Sequence, residues 1–300
     1  MKKTIQYALK LAEKFYNKEV IIKRIKSENN YVFLLDLGDS KKVLKIEKSI
    51  GNESWRLKKE VYLISKLKKT TIPLPNIEHY DFSGKVIPNP WIIMEHMGDK
   101  DLNKLFTTKN NSEIKDLFRE LGRYLAEIHK ISFNKQGFIF HDNIEKEVFE
   151  DYINNSLKTS RGKLIKSGKI EKEILDKAEK VILKFRDSNE CKLCHNDFGS
   201  WQALIRDKKI SAIIDWELAR SSDPVYDYAK SELMLSIWSG NVKEFRKGYE
   251  EVNKLPLDYE KISIPYKVLE SLKIMTFFIG NKSNFNKTKK MLFKLLEIKK

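Results

Sequence analysis

Apolar residues in the first sixteen positions recur at helical spacing. Ile5, Ala8, Leu9 and Ala12, with Phe15 or Tyr16, share one face, which predicts an amphipathic helix. The period then drops to two. Residues 18–26 run into V-I-I-K-R-I and read as a strand, residues 31–37 as a second and residues 42–47 as a third. Gly38-Asp39-Ser40 supplies the hairpin turn between the last two. Helical spacing returns over residues 53–68, where Leu57, Val61, Ile64 and Leu67 form a stripe, and Pro73-Leu74-Pro75 cuts the chain after it. Trp91-Ile92-Ile93-Met94 is an apolar strand that ends in a polar, Gly-containing turn, Glu95-His96-Met97-Gly98. A helix is predicted over residues 112–129, capped by Ser112 and striped by Leu117, Leu121, Leu125 and Ile128. Residues 138–188 read as mostly helical and lysine-rich, with Gly162 and Gly168 marking a loop. A short hairpin is predicted over 203–205 and 211–214. Met291, Leu292, Leu295 and Ile298 line a last helix whose polar face carries the lysines of 287–300.

Composition bounds the setting. The 300 residues suit two lobes with a cleft or one large domain, and 41% hydrophobic content supports a real core. No apolar run approaches the roughly 18–20 residues of a membrane span. The N-terminus carries charges where a signal peptide needs an unbroken apolar stretch, so the expected setting is cytoplasmic, with no membrane partner. The net charge of +16 raises the question of nucleic acid. Lysine is scattered throughout, arginine is scarce and no binding module accompanies the charge, so a solvated lysine surface is expected and a nucleic-acid partner is not. Cys191, Cys194 and His195 spell the C-x-x-C-H string of haem attachment, which needs an exported chain. Zinc needs two further ligands at suitable spacing, which the five histidines do not supply. The pair reads as two buried thiols on a strand leading into the His195 loop.

Candidate chemistry concentrates between residues 194 and 227. His195-Asn196-Asp197 is followed, five residues after the Asp, by Gln202, and a hydrophobic strand then delivers Asp215. Phosphoryl transfer from a nucleotide needs a carboxylate near the acceptor hydroxyl, an oxygen ligand for metal, and a second carboxylate joining metal to phosphates. Upstream, Val43-Leu44-Lys45-Ile46 sets a lysine inside an apolar strand. A buried ammonium needs a partner, whereas an edge-strand lysine facing water gives the same local pattern.

The arrangement resembles H-x-D-x-x-x-x-N followed by a D-F-G-like Asp, the signature of the protein-kinase-like fold. Its wording, I-D-W with Asp223-Pro224-x-x-Asp227 after it, is similar to the aminoglycoside phosphotransferase and choline kinase family. The resemblance covers about residues 18 to 230. It implies an α+β, two-lobed fold: a small antiparallel β lobe over 1–97, ending at a hinge, and a larger, mainly helical lobe over 98–300.

In that resemblance Asp197 accepts or orients the acceptor hydroxyl proton and His195 braces the loop. Gln202 and Asp215 hold magnesium, because hard cations take oxygen ligands. Lys45 meets the nucleotide phosphates and pairs with Glu60, or failing that Glu53. Ser27, Asn29 and Asn30 cover the phosphates, and the backbone of Glu95, His96 and Met97 reads the purine edge. Asp223 and Asp227 anchor loops and the following helix. His129, in L-A-E-I-H, packs or caps. The donor is ATP or GTP, and the chain is expected to act as a monomer.

The favoured acceptor is a hydroxyl of an aminoglycoside-like antibiotic, with Glu145, Glu147, Glu150, Asp151, Glu217 and Glu232 as possible carboxylates for a polycation. Choline, a sugar or an amino alcohol is the metabolic alternative, and a nucleotide-binding pseudoenzyme the non-catalytic one. Two departures stand out. The loop over residues 27–30 has no glycine, and Gln202 is one methylene longer than the usual Asn.

Overall fold

The computed structural model describes residues 2–25, 29–51, 54–108, 112–141 and 143–298. In chain order its elements are α1 (Lys2–Tyr16), β1 (Ile21–Ile25), β2 (Asn30–Asp36), β3 (Lys41–Glu47), α2 (Arg56–Leu67), β4 (Ile77–Asp81), β5 (Trp91–Glu95) and β6 (Lys100–Asp101). There follow α3 (Leu102–Thr108), α4 (Ser112–Ile128), β7 (Gly137–Ile139), β8 (Ile144–Lys146), α5 (Phe149–Ser167), α6 (Lys172–Ile182) and β9 (Lys192–Cys194). The last are β10 (Ala203–Arg206), β11 (Lys209–Ile213), β12 (Arg220–Ser222), α7 (Pro224–Trp238), α8 (Val242–Val252), α9 (Tyr259–Phe277) and α10 (Lys282–Leu295). By contact the chain divides into two compact units. One comprises Met1–Lys100, Phe140–Asn143 and Ala203–Glu217; the other Asp101–Ile139, Ile144–Gln202 and Leu218–Lys300.

The first unit is built on a five-stranded antiparallel sheet in the order β1-β2-β3-β5-β4. Successive side chains in a strand alternate faces, and β3 shows the consequence. Leu44 and Ile46 join Ala8 and Leu11 of α1 in a core with Phe33, Leu35, Trp91 and Ile93. Val43 falls on the other face, with Leu57 of α2, Ile92 and Met94. Both faces of β5 are therefore covered, which is why its sequence is unbrokenly apolar. Lys45 and Glu47 share the α2 face. Glu47, fully buried, accepts the backbone N–H groups of Trp55 (3.1 Å), Arg56 (3.3 Å) and Leu57 (3.2 Å). A carboxylate there satisfies the orphan donors of the first turn and meets the positive end of the helix dipole. The helix accordingly begins at Arg56, three residues after the sequence-based start.

The β10–β11 hairpin belongs to this unit, although the boundary at 97/98 read from sequence assigns it to the helical lobe. The contacts that hold it explain the difference. Ser211 donates to the Met97 carbonyl (2.5 Å), Arg206 to the His96 carbonyl, and the Ile213 N–H to the Pro73 carbonyl (2.9 Å).

In the second unit, helices α4, α5 and α7 to α9 gather with a four-stranded sheet, β8-β7-β12-β9. Helices α4 and α8 approach so closely that a Cβ on Gly122 would lie 2.0 Å from the Phe245 carbonyl, a contact only glycine permits. Two details differ from the sequence pattern. The region over 138–188 opens with the β7–β8 hairpin, whose three-residue strands are too short to display a period of two. Gly162 lies inside α5, and only Gly168 ends it, as a left-handed C-cap at φ 61°. Among the described residues no helix is long and apolar enough to cross a membrane.

A buried charge cluster ties α7 to α9. Glu270 lies 2.5 Å from the Lys273 ammonium and 3.6 Å from that of Lys230. Burial opposes its charge, but Lys230 and Lys273 outweigh burial and hold the carboxyl at about 2, against an ordinary 4.5. A folded value below the unfolded one gives stability that is present above about pH 4.5 and lost as pH falls toward 2. At neutral pH that shift corresponds to about 3 kcal/mol. Glu270→Gln is therefore expected to destabilise the protein at pH 7 and to flatten the acid limb of its stability curve. Denaturant titrations across pH check this; an unchanged acid slope contradicts it.

Candidate active site

In the first unit the Lys45 ammonium lies 2.6 Å from Glu60 Oε1, with side chains only 15% and 6% exposed. Burial works against the ammonium, yet Glu60, then Asp215 and Glu217, more than offset it and raise its pKa. Glu53, the other candidate partner, lies outside the described residues, as does Ser27. Asp215 follows β11 in the left-handed region, at φ 69°, a conformation that costs free energy in a non-glycine residue and clusters at functional turns. Two residues on, Glu217 accepts a hydrogen bond from Asn29 Nδ2 (2.5 Å), stands 3.7 Å from Arg56, and offers its main-chain oxygen to Lys59 (2.8 Å). Its carboxyl is pushed up by burial and by the neighbouring Asp215 charge. Asn30 begins β2, with its Oδ1 buried and, among the described residues, unpaired.

The backbone of residues 95–97 is partly engaged already. The Glu95 N–H donates to Asn76 (2.9 Å) and the His96 N–H to Lys41 (3.3 Å), while the His96 and Met97 carbonyls receive the β10–β11 contacts described above.

In the second unit β9 ends at Cys194 and delivers His195, Asn196 and Asp197 into a loop. The buried Asp227 carboxylate accepts the His195 N–H (2.8 Å) and the Asn196 N–H (2.9 Å). His129 Nε2 stands 3.2 Å from the same carboxylate, and its Nδ1 2.8 Å from the Tyr249 hydroxyl. Burial disfavours the Asp227 charge, but the His129 hydrogen bond and the charges around it hold its pKa below the ordinary value. Asn196 adopts φ 61°, and its carbonyl accepts from Lys230 (2.5 Å). His195 is fully buried and meets the Phe198 ring edge-on at 5.5 Å, which gives it a place inside the loop. Gln202, in a 3-10 turn over Ser200–Gln202, donates Nε2 to Asp197 Oδ2 at 2.8 Å. The contact engages the amide nitrogen, and the amide oxygen is the atom of Gln202 chemically able to ligate a hard cation. Asp223 caps α7, accepting the Val225 N–H (2.9 Å) ahead of Pro224.

Both cysteines are free; Cys194 is buried and Cys191 half-buried. The donor atoms of His129, Cys194 and Asp227 lie within 4.8 Å of one another. The Asp227 oxygens already serve the loop amides, and burial drives the Cys194 thiol well above its ordinary pKa. Asp227 and His129 therefore brace the loop, beside the Cys194 thiol.

Several carboxylates considered for a cationic acceptor are occupied. Glu147 pairs with Arg220 (2.7 Å), Glu232 with Lys267 (2.5 Å) and the Tyr259 hydroxyl (2.7 Å), and Glu217 with Asn29. Glu145, Glu150 and Asp151 are exposed. Sequence reasoning missed the roles of Glu47, Lys59 and Lys230. Only Glu47 had a signal, since two positions after Lys45 in a strand means the same face.

The chain matches the phosphotransferase enzyme family over residues 21–262. A comparison with curated proteins finds no match. Among solved structures, aminoglycoside phosphotransferase APH(4)-Ia superposes with a TM-score of 0.71 at 15% identity, over 99% of each chain. ADP-bound aminoglycoside phosphotransferase APH(2'')-Ib gives 0.65 at 18% identity, over 98% of each chain. The GDP and kanamycin complex of APH(2")-IIia gives 0.70 at 14% identity, over 97% of this chain and 98% of that one. At these identities the likeness is one of fold, the kinase-like α+β fold expected from the sequence.

Proposed function

Since the chain belongs to the phosphotransferase enzyme family, and is thus a nucleotide-dependent phosphotransferase acting on alcohol hydroxyls, we propose that its donor is magnesium-bound ATP or GTP and its acceptor an aminoglycoside-like antibiotic. The observation that carries the nucleotide part of this reading is the largely buried Lys45–Glu60 pair, whose ammonium is kept charged with Asp215 close by. An ammonium so held is a fixed positive charge for nucleotide phosphates.

Each unit has its proposed part. Lys45 orients the phosphates, with Glu60 as its counterion. Asn29, Asn30 and the backbone of residues 95–97 bound the nucleotide. Asp215 and Gln202, both oxygen donors, are the residues proposed to hold magnesium, which when bound supplies positive charge against the phosphate oxygens. Asp197, a carboxylate of the loop braced by Asp227, orients the acceptor hydroxyl and takes its proton late in a loose transition state. His195 stays in the loop interior as a brace. The setting is proposed to be cytoplasmic and the working form a monomer.

The pairing of Glu147 and Glu232 with this chain's own cations favours a second acceptor class, a less cationic metabolic alcohol such as choline, a sugar or an amino alcohol. Incubation of the protein with magnesium and either nucleotide against aminoglycosides, macrolides, choline and sugars separates the two. A phosphoryl mass gain on an aminoglycoside supports the first reading, and one confined to a small alcohol replaces it with the second. No product in any pairing defeats both.

Gln202→Asn tests the metal assignment. It restores the shorter amide, so turnover should stay within about threefold of the parent or rise, with the magnesium requirement intact. A loss as large as that of Asp215→Asn would contradict a ligand role for this position.

A further inference from the structure

We propose that Glu217 is a positioning residue for the nucleotide phosphates, acting through Asn29 of the loop between β1 and β2. The proposal rests on the nucleotide-binding reading above. A glycine-rich loop closes over phosphates with its own backbone, but residues 26–30 contain no glycine. Here the described part of the loop is held by a side-chain contact from 188 residues away, Asn29 Nδ2 to Glu217 Oε1 at 2.5 Å. A carboxylate repels a triphosphate, so Glu217 works by holding Asn29 in place and does not touch the nucleotide.

The second carboxylate oxygen faces Arg56 at 3.7 Å, and the main-chain oxygen of Glu217 receives the fully buried Lys59 at 2.8 Å. Both cations belong to α2, the helix that presents Glu60 to Lys45 and whose N-terminus is held by Glu47. Trp216, wholly buried, donates its indole N–H to the Ile213 carbonyl at 3.3 Å and fixes the turn between Asp215 and Glu217. One side chain thus joins the phosphate loop, the helix that orients Lys45, and the turn of the metal-site carboxylate.

The test compares Glu217→Ala, Glu217→Gln, Asn29→Ala and the Glu217→Ala/Asn29→Ala double variant. It measures the dissociation constants of magnesium-ATP and magnesium-GTP by calorimetry and the nucleotide KM and kcat in turnover. The two alanine variants should each weaken nucleotide binding by about tenfold. The double variant should be no weaker than the worse single, because both remove the same contact. Glu217→Gln keeps an oxygen acceptor for Asn29 and should recover most of the affinity. The loss should fall on nucleotide KM more than on kcat. Additive losses, no recovery with Gln, or a loss confined to kcat overturn the proposal while wild-type nucleotide binding stands. Failure of the wild-type chain to bind either nucleotide overturns the functional reading and this inference with it. If Glu217→Ala does not fold, Asn29→Ala and Glu217→Gln carry the comparison.

Discussion

Asp197→Asn is expected to lower phosphoryl transfer by about a thousandfold or more while leaving magnesium-nucleotide affinity within about threefold. The substitution is isosteric. The loop around it is held by Asp227 through the His195 and Asn196 amides and by Lys230 through the Asn196 carbonyl, none of which involves the Asp197 side chain. The Gln202 amide still finds an oxygen acceptor on Asn at 197. What disappears is the negative charge that draws the acceptor proton. Single-turnover transfer, read beside calorimetric nucleotide binding, separates the two quantities. A parallel loss of both would mean that Asp197 serves the nucleotide.

Asp215→Asn is expected to behave differently. Asn tolerates the left-handed conformation found at φ 69°, so the turn should survive. The loss is of charge, felt by any hard cation and by Lys45, whose ammonium Asp215 helps to stabilise. Magnesium-nucleotide affinity should fall by about tenfold to a hundredfold and transfer by about a hundredfold or more. Titration of magnesium at fixed nucleotide checks this. An unchanged magnesium dependence would remove Asp215 from the metal.

Much of this was legible along the chain because the signals are local. The five-residue step from Asp197 to Gln202, the apolar strand that sets Lys45 among Val43, Leu44 and Ile46, and the Leu stripe of α4 need no knowledge of distant partners. What stayed hidden depends on pairs remote in sequence. Glu47 caps a helix eight to ten residues away, Arg206 bonds the His96 carbonyl 110 residues before it, and Glu217 reaches Asn29 across 188. β7 and β8, each three residues long, are too short for a periodicity, and β7 pairs with the distant β12 as well as with β8. Glu147 and Glu232 looked available to an acceptor until Arg220 and Lys267 were found against them. Charge pairing of that kind leaves no mark on spacing.

The most direct measurement of the central claim is nucleotide consumption by the wild-type protein across the acceptor panel, with magnesium present and with it chelated, beside Asp197→Asn under the same conditions. The account predicts that ADP or GDP appears with at least one hydroxyl acceptor, matched by one phosphoryl group on that acceptor, and that chelation or Asp197→Asn abolishes both. A wild-type protein that binds magnesium nucleotide tightly but transfers nothing across the whole panel, indistinguishable from Asp197→Asn, would contradict it.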